Sequence, residues 1–433
     1  MLRIQMNKSD ESTDYYIRNK IINLDFFISG STMKCKIQLI LSLLVFSLYC
    51  CAPPDVAGNK RIKTGAEQTG KYIQQLKDKN IALVANHTSV VNNTNLLDTL
   101  LALGVHVKQV FSPEHGFRGN GDAGETIHSF VDEKTGLPVI SLYGSSKKPT
   151  SENLAGIDVV IFDLQDVGVR YYTYISTMHY VMEACAENNV ELLILDRPNP
   201  NGFYVDGPVL DTNYRSFVGM HPVPIVHGMT IAEYALMING EGWLKNSIRC
   251  KLNYIPCQNY THDSLYKLPV PPSPNLQNMQ AVYLYPSLGF FEGTVLNVGR
   301  GTEFPFQVFG SPDLKDSGFS YTPRSIDGAS KFPLHENQKC YGVDLRNYPV
   351  KKVIESKSIN LDWLVLGFSY SNNSKGFFNL YFYNISGTKQ LKDQIIQKKT
   401  VREIHESWQP ELAKFKNVRK KYLIYKDFRI NQN

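Results

Sequence analysis

The stretch VVIFDLQDVGVRYYTYISTMHYVMEACAENNVELLIL, residues 159–195, contains one complete strand–helix–strand unit. Its two apolar runs, Val159–Phe162 and Leu192–Leu195, have the length and continuous hydrophobicity of buried strands. Between them, Tyr174–Asn189 is predicted to be a helix, because apolar side chains recur there at helical spacing. The unit therefore predicts two parallel strands of one sheet joined by a helix.

The same alternation of strands and helices extends on both sides of this unit. Further strands are predicted at Ile81–Ala85, Val107–Phe111, Val139–Leu142 and Pro224–Val226. Repeated alternation of this kind predicts an α/β fold with a mostly parallel, doubly wound sheet.

The pattern changes after Cys257. The Pro-rich segment 269–275 cannot propagate a helix, so we place a domain boundary near residue 266. The sheet domain is then 67–265, and residues 266–433 form a smaller α+β domain. Within that second domain we predict a strand at Leu380–Tyr383 and a helix at Thr400–Trp408.

Residues 1–51 are predicted to be a leader. Translation is expected to begin at Met33, because a basic start and the short apolar run 37–48 are typical of a secretory signal. The sequence LYCC at 48–51 resembles a bacterial lipobox, with Cys51 as the lipidation candidate. We expect residues 52–66 to be a tether, and the protein to be a periplasmic or outer-membrane-anchored lipoprotein of a Gram-negative bacterium, bound to membrane only through its lipid.

Composition argues against several functional classes. The net charge of +6 is spread along the chain, which argues against nucleic-acid binding. The GxGxxG and P-loop motifs are absent, so no nucleotide or other cofactor is expected, and no metal-ligand spacing such as HExxH is present. The chain has no CxxC; Cys250 and Cys257 could pair in an exported protein, whereas Cys185 is predicted to be buried and free.

Polar residues directly follow five of the predicted strands. In an open parallel sheet, ligands bind in the crevice outside the carboxyl ends of the strands, so these residues are expected to converge on one site. They are Asn86, His87, Glu114, His115, Asp166, Asp196, Asn199 and His227.

Glu114 is the strongest catalytic candidate. In FSPEHGFRG, residues 111–119, Pro113 and Gly116 constrain a turn that carries an acid, an imidazole and Arg118. Glu114 could instead only pair with Arg118, and His115 could orient Glu114 or simply bond backbone. Glu233 has capping-box spacing from Thr230, so it could merely satisfy a helix N-terminus.

The remaining strand-end residues also have structural interpretations. Asp163 and Asp166 could cap the following helix, with Asp163 the more structural of the two, and Asp196 could stabilise its own loop. His87 and His227 could each be buried, satisfied histidines. Three more candidates lie at or after the end of the Pro-rich segment: Asn275, Glu292 and Arg300. Arg300 lies among glycines and suits bidentate binding of a carboxylate. A fourth candidate, Arg170, lies upstream.

Several long motifs together resemble one known family, the peptidoglycan exo-β-N-acetylmuramidases. They run in order from about residue 80 to 312 and include IALVANHTSV, FSPEHGFRG, FDLQDVGVRYYTYISTM, LDRPNPNG, PIVHGMTIAE and FEGTVLNVGRGTEFPFQVFG. The resemblance implies a Rossmann-like domain, a smaller C-terminal domain and an active site in the cleft between them. It also implies release of N-acetylmuramic acid from the non-reducing end of peptidoglycan fragments, as in cell-wall recycling.

The family's proposed catalytic glutamates correspond to Glu114 and Glu233. We expect Glu114 to be the general acid, with Glu233 or Asp166 as base or stabiliser, or with the substrate's acetamido group in place of a protein nucleophile. Arg300 or Arg170 would hold the lactyl carboxylate of muramic acid. The expected partners are saccharides containing N-acetylmuramic acid linked to N-acetylglucosamine.

Two other functions remain open on the sequence. Glu114, His115, Asp166, Asp196 and His227 include plausible metal ligands, so a metal-dependent hydrolase is one alternative. A non-catalytic lipoprotein that binds muropeptides is the other. The oligomeric state is left open.

Overall fold

The computed structural model describes residues 60–117, 129–144, 146–315, 318–371 and 375–429. Strands and helices alternate in the first two-thirds of these residues, and helices predominate after residue 345. The strands are β1 (Asn80–Ala85), β2 (Val90–Val91), β3 (Thr94–Asn95), β4 (His106–Ser112), β5 (Phe130–Val131), β6 (Pro138–Ser141), β7 (Val159–Asp163), β8 (Glu191–Leu195), β9 (Leu252–Ile255), β10 (Val308–Ser311), β11 (Ser320–Tyr321) and β12 (Cys340–Asp344).

The α-helices are mostly short, and the longest one ends the described chain. They are α1 (Ile73–Leu76), α2 (Leu96–Ala102), α3 (Ser151–Leu154), α4 (Tyr174–Glu187), α5 (Ile231–Gly240), α6 (Met279–Leu288), α7 (Val350–Ser356), α8 (Asp362–Tyr370), α9 (Tyr381–Ser386), α10 (Gln390–Ile396) and α11 (Val401–Arg419).

The main sheet has seven strands in the order β5-β6-β4-β1-β7-β8-β9. All neighbouring strands in it are parallel except β5 and β6. β1 lies in the middle, where Ile81 pairs with Val107 on one side and with Val159 on the other. Its apolar residues 81–85 are buried, as expected for a strand that is covered on both faces. The predicted α/β fold with a mostly parallel sheet is confirmed.

Two strand predictions were wrong. Pro224–Val226 does not join the main sheet; Val226 instead forms isolated bridges. The sixth parallel strand is β9, which lies at the sheet edge and is only half-buried, so it lacks the continuous apolar run that marks the others. Leu380–Tyr383 falls at helix α9, because its aromatic side chains pack at helical spacing, with Phe382 and Ile385 both buried.

The region after residue 266 contains a small antiparallel sheet, β10-β12-β11, surrounded by helices. It shares one hydrophobic core with the main sheet, since a single cluster includes Phe162 and Tyr234 as well as Phe290 and Leu412. The described residues from Arg61 onward belong to one compact unit. The domain boundary near residue 266 therefore stays a prediction.

Part of the predicted tether, 52–66, is folded. Lys63 exchanges backbone hydrogen bonds with Gln258 at 3.0 and 2.8 Å, and Gly65 N donates to Asp196 O at 2.7 Å. Ala66 is fully buried. The tether prediction was therefore wrong from Lys63 onward, because this segment packs beside β8 and β9. Met33, Cys51 and the rest of the predicted leader lie outside the described residues.

The four cysteines after the predicted leader are buried and unpaired: Cys185, Cys250, Cys257 and Cys340. This confirms the prediction for Cys185. Cys250 and Cys257 do not form the disulfide that the sequence allowed, and the Cys257 thiol instead donates to Asp196 O at 3.3 Å. In the described part of the chain, no helix is both long enough and apolar enough to cross a membrane.

Candidate active site

Glu114 lies in a tight turn directly after β4. Gly116 N donates to Pro113 O at 3.1 Å, and His115 has a φ of +69°. A positive φ is uncommon for a residue with a Cβ atom and persists only where the surrounding structure enforces it. His115 is buried, whereas Glu114 is half-buried and borders a cavity.

The cavity has a volume of about 620 Å³. Its walls come from loops that follow β4, β6 and β7 and from segments after residue 270, so both sides of the predicted domain boundary contribute. The residues that line it are Glu114, His115, Tyr143, Tyr171, Tyr172, Thr173, Tyr174, Val218, Ser273, Asn275, Leu276, Tyr285, Glu292, Arg300, Phe306, Ala329, Ser330, Lys331, Phe332 and Tyr381.

Tyrosine rings form one wall of this cavity. The rings of Tyr172 and Tyr174 meet edge to face with centroids 4.7 Å apart. Tyr171 Oη donates to the backbone oxygens of Tyr285 and Pro286, each at 2.9 Å. Tyr172 Oη donates to Pro272 O at 2.7 Å, so the wall is held in place from its outer side.

Hydroxyl groups contact the Glu114 carboxylate. Thr173 Oγ1 donates to Glu114 Oε2 at 2.7 Å. Burial, together with the charge of Glu114 and a hydrogen bond to it, raises the pKa of Tyr143 above its usual value. Tyr143 therefore stays a neutral donor beside Glu114 at ordinary pH.

A second carboxylate, Glu292, lines the same cavity. Arg300 donates to Glu292 Oε1 from Nε at 2.9 Å and from Nη2 at 2.6 Å. The guanidinium also lies over the ring of Phe306, 5.1 Å from its centroid. Burial alone would lower the pKa of Arg300, but the adjacent Glu292 outweighs it and raises that pKa. Arg300 is thus a permanent cation that positions Glu292.

A second set of predicted site residues lies inside the protein, and we call it the buried polar layer. Its members are at most 5% exposed, and none lines the described walls of the cavity. They are Asp166, Arg170, Asp196, Asn199, His227 and Glu233, together with His262.

Glu233 caps its own helix, as the capping-box interpretation proposed. Thr230 N donates to Glu233 Oε2 at 2.9 Å, and Glu233 N donates back to Thr230 Oγ1. Its other oxygen accepts from His262 Nε2 at 3.0 Å and from the backbone N–H groups of Ile424 and Tyr425. This fully buried carboxylate ties the C-terminal segment to the core and lines no described part of the cavity, and its catalytic role stays a prediction.

Asp166 and His227 face each other beneath the tyrosine wall. His227 Nδ1 accepts from Met229 N, so Nε2 carries the proton, yet Nε2 is 3.9 Å from Asp166 Oδ2 and has no hydrogen bond among the described residues. Gly168 N donates to Asp166 Oδ2 at 2.6 Å. Burial raises the pKa of Asp166 to about 7 and lowers that of His227 to about 3. Both residues lie outside the described cavity lining, and their predicted roles at the site stay predictions.

Asp196 and Asn199 stabilise the loop after β8. Tyr425 Oη donates to Asp196 Oδ2 at 2.6 Å and Ala232 N to Oδ1 at 3.0 Å. Burial nevertheless raises the pKa of Asp196 to about 7. Asn199 Nδ2 donates to Met229 O at 2.9 Å. These contacts agree with the structural interpretation of Asp196, and the predicted substrate contacts of both residues stay predictions.

Arg170 binds backbone carbonyl groups inside the protein. Its Nη1 donates to Pro208 O and Val223 O, and its Nη2 to Ile385 O and Ser386 O, over 2.7–3.0 Å. The side chain is fully buried. It joins carbonyl groups of two loops to those at the end of helix α9, and its role in lactyl binding stays a prediction.

Three further candidates lie at or beside the cavity. Asn275 lines it and donates from Nδ2 to Ala329 O at 2.7 Å. Asn86 lies behind the wall and donates to Tyr174 Oη at 2.6 Å. His87 Nε2 donates to Pro271 O at 3.0 Å outside the cavity, and burial lowers the His87 pKa. Arg118 lies outside the described residues.

Two protein-family domains match the chain in tandem. Residues 81–280 match the N-terminal domain of the exo-β-N-acetylmuramidase NamZ, and residues 283–425 match its C-terminal domain. The chain belongs to the NamZ family. This confirms the resemblance seen in the sequence.

One NamZ family relative is the peptidoglycan β-N-acetylmuramidase NamZ of Bacillus subtilis (strain 168). It is 37% identical over 400 residues, which cover 86% of this chain and 95% of the relative. Crystal structures of two DUF1343 family proteins from Bacteroides fragilis NCTC 9343 share the fold. The first has a TM-score of 0.80 and 48% identity over 85% of this chain and 100% of its own. The second has a TM-score of 0.72 and 29% identity over 84% and 99%.

Sequence reasoning missed several residues of this NamZ family cavity. They include Tyr143, which directly follows the predicted strand Val139–Leu142, and Lys331, Phe332 and Tyr381, which follow no strand of the main sheet. The tyrosine wall had a visible signal, since RYYTY follows a strand end, but none of its tyrosines was among the sequence candidates. Among the residues that the structure describes, no three His, Cys, Asp or Glu side chains are grouped as metal ligands.

Proposed function

We propose that this protein is an exo-acting glycoside hydrolase that releases N-acetylmuramic acid from the non-reducing end of peptidoglycan fragments. The observation that carries the proposal is that two carboxylates, Glu114 and Glu292, border one cavity of about 620 Å³ in a NamZ family member. Glycosidases commonly use two such carboxylates on either side of the scissile bond. The volume falls within the range of roughly 300–1,000 Å³ that is usual for small-ligand sites.

Glu114 is the general acid in this proposal. Its contacts with Thr173 and Tyr143 are with neutral hydroxyls, and the turn at Pro113 directs it into the cavity. When protonated, the carboxyl group can give its proton to the glycosidic oxygen as the bond to the anomeric carbon breaks. Placement of an acid at that oxygen lowers the barrier, because the leaving sugar departs as a neutral alcohol.

Glu292 is the second carboxylate. Two N–H groups of Arg300 hold its Oε1, and the pair lies on the cavity wall with side chains 23% and 20% exposed. A carboxylate positioned by a fixed cation can take a proton from the attacking water, or it can stabilise positive charge at the anomeric carbon. Glu233 and Asp166 are less suited, because both are enclosed by the core. The acetamido group of the substrate is the remaining alternative to a protein base.

The tyrosine wall supports binding of a sugar ring. Its rings are held rigid by hydrogen bonds to backbone carbonyls, so little conformational freedom is lost when a ligand packs against them. Aromatic side chains supply large contact area together with polar edges. Asn275 is anchored on the opposite segment and adds an amide group at the same cavity.

The decisive experiment is incubation with a defined disaccharide of N-acetylmuramic acid β-1,4-linked to N-acetylglucosamine, followed by mass spectrometry. We expect equimolar free monosaccharides. The isomeric disaccharide with N-acetylglucosamine at the non-reducing end serves as the control and should not be cleaved. If the protein binds the first disaccharide without cleaving it, the proposal is wrong and a muropeptide-binding protein is supported.

We further propose that the protein acts in cell-wall recycling as an exported lipoprotein anchored through Cys51. The basic start at Met33, the apolar run 37–48 and the LYCC sequence support this. Growth with an alkyne-labelled fatty acid should label the full chain, and the Cys51→Ser variant should lose the label. Label retained on that variant would contradict anchoring at this residue.

A further inference from the structure

The substrate proposed above carries a charge that its closest neutral analogue lacks. N-acetylmuramic acid differs from N-acetylglucosamine by a lactyl ether, which ends in a carboxylate. A protein that selects muramic acid therefore needs a cation, or a donor of similar strength, at the sugar site. This inference rests on the proposed function and asks which side chain supplies that charge.

The arginine on the cavity wall is already neutralised. Arg300 contacts Glu292 with both Nε and Nη2, and the field of Glu114 acts on it as well. A second carboxylate arriving at Arg300 would also approach Glu292. Like charges at that distance repel each other, so Arg300 is poorly placed to select an anionic sugar.

Lys331 is the other permanent cation among the described residues that line the cavity. It is exposed, and it makes no ion pair with any described acidic residue. With Glu114 protonated as the general acid, Glu292 and Arg300 neutralise each other, so they contribute no net positive charge that would attract a muramic acid anion. Lys331 supplies a positive charge at the same cavity.

The backbone next to Lys331 is held against the substrate-facing wall. Ile326 and Ser330 form an antiparallel bridge that closes the preceding turn. Asn275 Nδ2, from the opposite segment, donates to Ala329 O at 2.7 Å. Lys331 thus directly follows a fixed turn, while its own flexible side chain can move toward a ligand.

We propose that Lys331 binds the lactyl carboxylate and is the residue that selects N-acetylmuramic acid over uncharged N-acetylhexosamines. Glu292 and Arg300 then act at the anomeric centre, and Lys331 binds the lactyl substituent of the sugar. The contact is an ammonium–carboxylate pair at a partly solvated rim, so it weakens as salt is added.

The test is equilibrium binding of two sugars by calorimetry, which requires no turnover. One is N-acetylmuramic acid, and the other is its lactyl N-methylamide, which keeps the shape but not the charge. We expect the wild-type protein to prefer the acid by about two- to fivefold at low salt, as for a partly exposed charge pair. The preference should fall at high salt and disappear in Lys331→Met. Lys331→Arg should restore it.

Lys267→Met is the matched control, because Lys267 is equally exposed but does not line the cavity. It should keep the wild-type preference. The proposal is overturned if Lys331→Met still prefers the acid, or if the wild-type protein binds both sugars equally. A protein that shows the Lys331-dependent preference but cleaves no disaccharide would refute the proposed hydrolysis while supporting this binding role.

Discussion

The cavity and the buried polar layer contain the same kinds of side chain and differ in what surrounds them. Glu114 and Glu292 border open space, where Thr173 contacts the first and Arg300 the second. Glu233 is fully buried and accepts four hydrogen bonds from backbone and His262. A glutamate in a polar motif is therefore catalytic or structural according to its access to a ligand. Four substitutions separate these two roles.

The largest effect is expected for Glu114→Gln. If Glu114 is the general acid, kcat should fall by about 10²–10⁴-fold, because an amide cannot donate a proton to the glycosidic oxygen. The melting temperature should stay close to that of the wild-type protein, since Gln can still accept from Thr173. Glu133→Gln, at an exposed turn, is the control and should keep full activity. Near-normal turnover by Glu114→Gln would refute the assignment.

Glu292→Gln should lower kcat by about 10²-fold, with a smaller change in KM, because charge stabilisation at the reacting centre is lost. The more truncated Glu292→Ala variant leaves room for a small anion. Formate should therefore partly restore its activity but should not restore that of Glu114→Gln. Unchanged turnover in Glu292→Gln would favour the substrate's acetamido group as the catalytic partner.

Glu233→Gln should affect stability rather than chemistry. The amide nitrogen would face donors that now bond a carboxylate, at a cost of about 2–4 kcal/mol. We expect the melting temperature to fall on the order of 5 °C. The activity per folded molecule, measured well below that temperature, should remain within a few-fold of wild type. A normal melting temperature with abolished turnover would reverse the roles that we assign to the two regions.

The smallest effect is expected for Asp166→Asn and depends on pH. Burial raises the pKa of Asp166 from 3.8 to about 7, so the folded protein holds a proton that the unfolded chain releases. The stability from this group is fully present below pH 3.8 and is lost as the pH rises through about 7. The slope is about 1.4 kcal/mol per pH unit at most. Between pH 5 and 8, the melting temperature should fall less steeply for Asp166→Asn than for the wild-type protein. Equal pH dependence of the two melting temperatures would contradict the prediction.

Much of the fold was readable because buried parallel strands impose a strong local pattern. Five apolar runs became strands of the main sheet, and the periodic segment after residue 173 became helix α4. Strand β9 was missed because an edge strand exposes one side and so loses that pattern. Helix α9 was misassigned because aromatic residues favour strands in general, while packing of Phe382 and Ile385 decided for a helix.

The sequence also identified the chemical types at the site and their family. FSPEHGFRG directed attention to Glu114, and the ordered motifs led to the NamZ family. Strand ends were a useful but incomplete guide. Residues after β4 and β7 reach the cavity, whereas Asp196 after β8 turns into the core.

Only the tertiary structure decided which polar side chains can meet a ligand. Glu292 and Lys331 lie 178 and 217 positions after Glu114 in the chain, so no local pattern connects them. Arg170 and Glu233 stand in motifs as polar as those of Glu114 but are enclosed by carbonyl and N–H groups from distant loops. Local sequence determines strands, turns and residue chemistry because those depend on near neighbours. Burial and charge pairing depend on chain segments that meet only after folding.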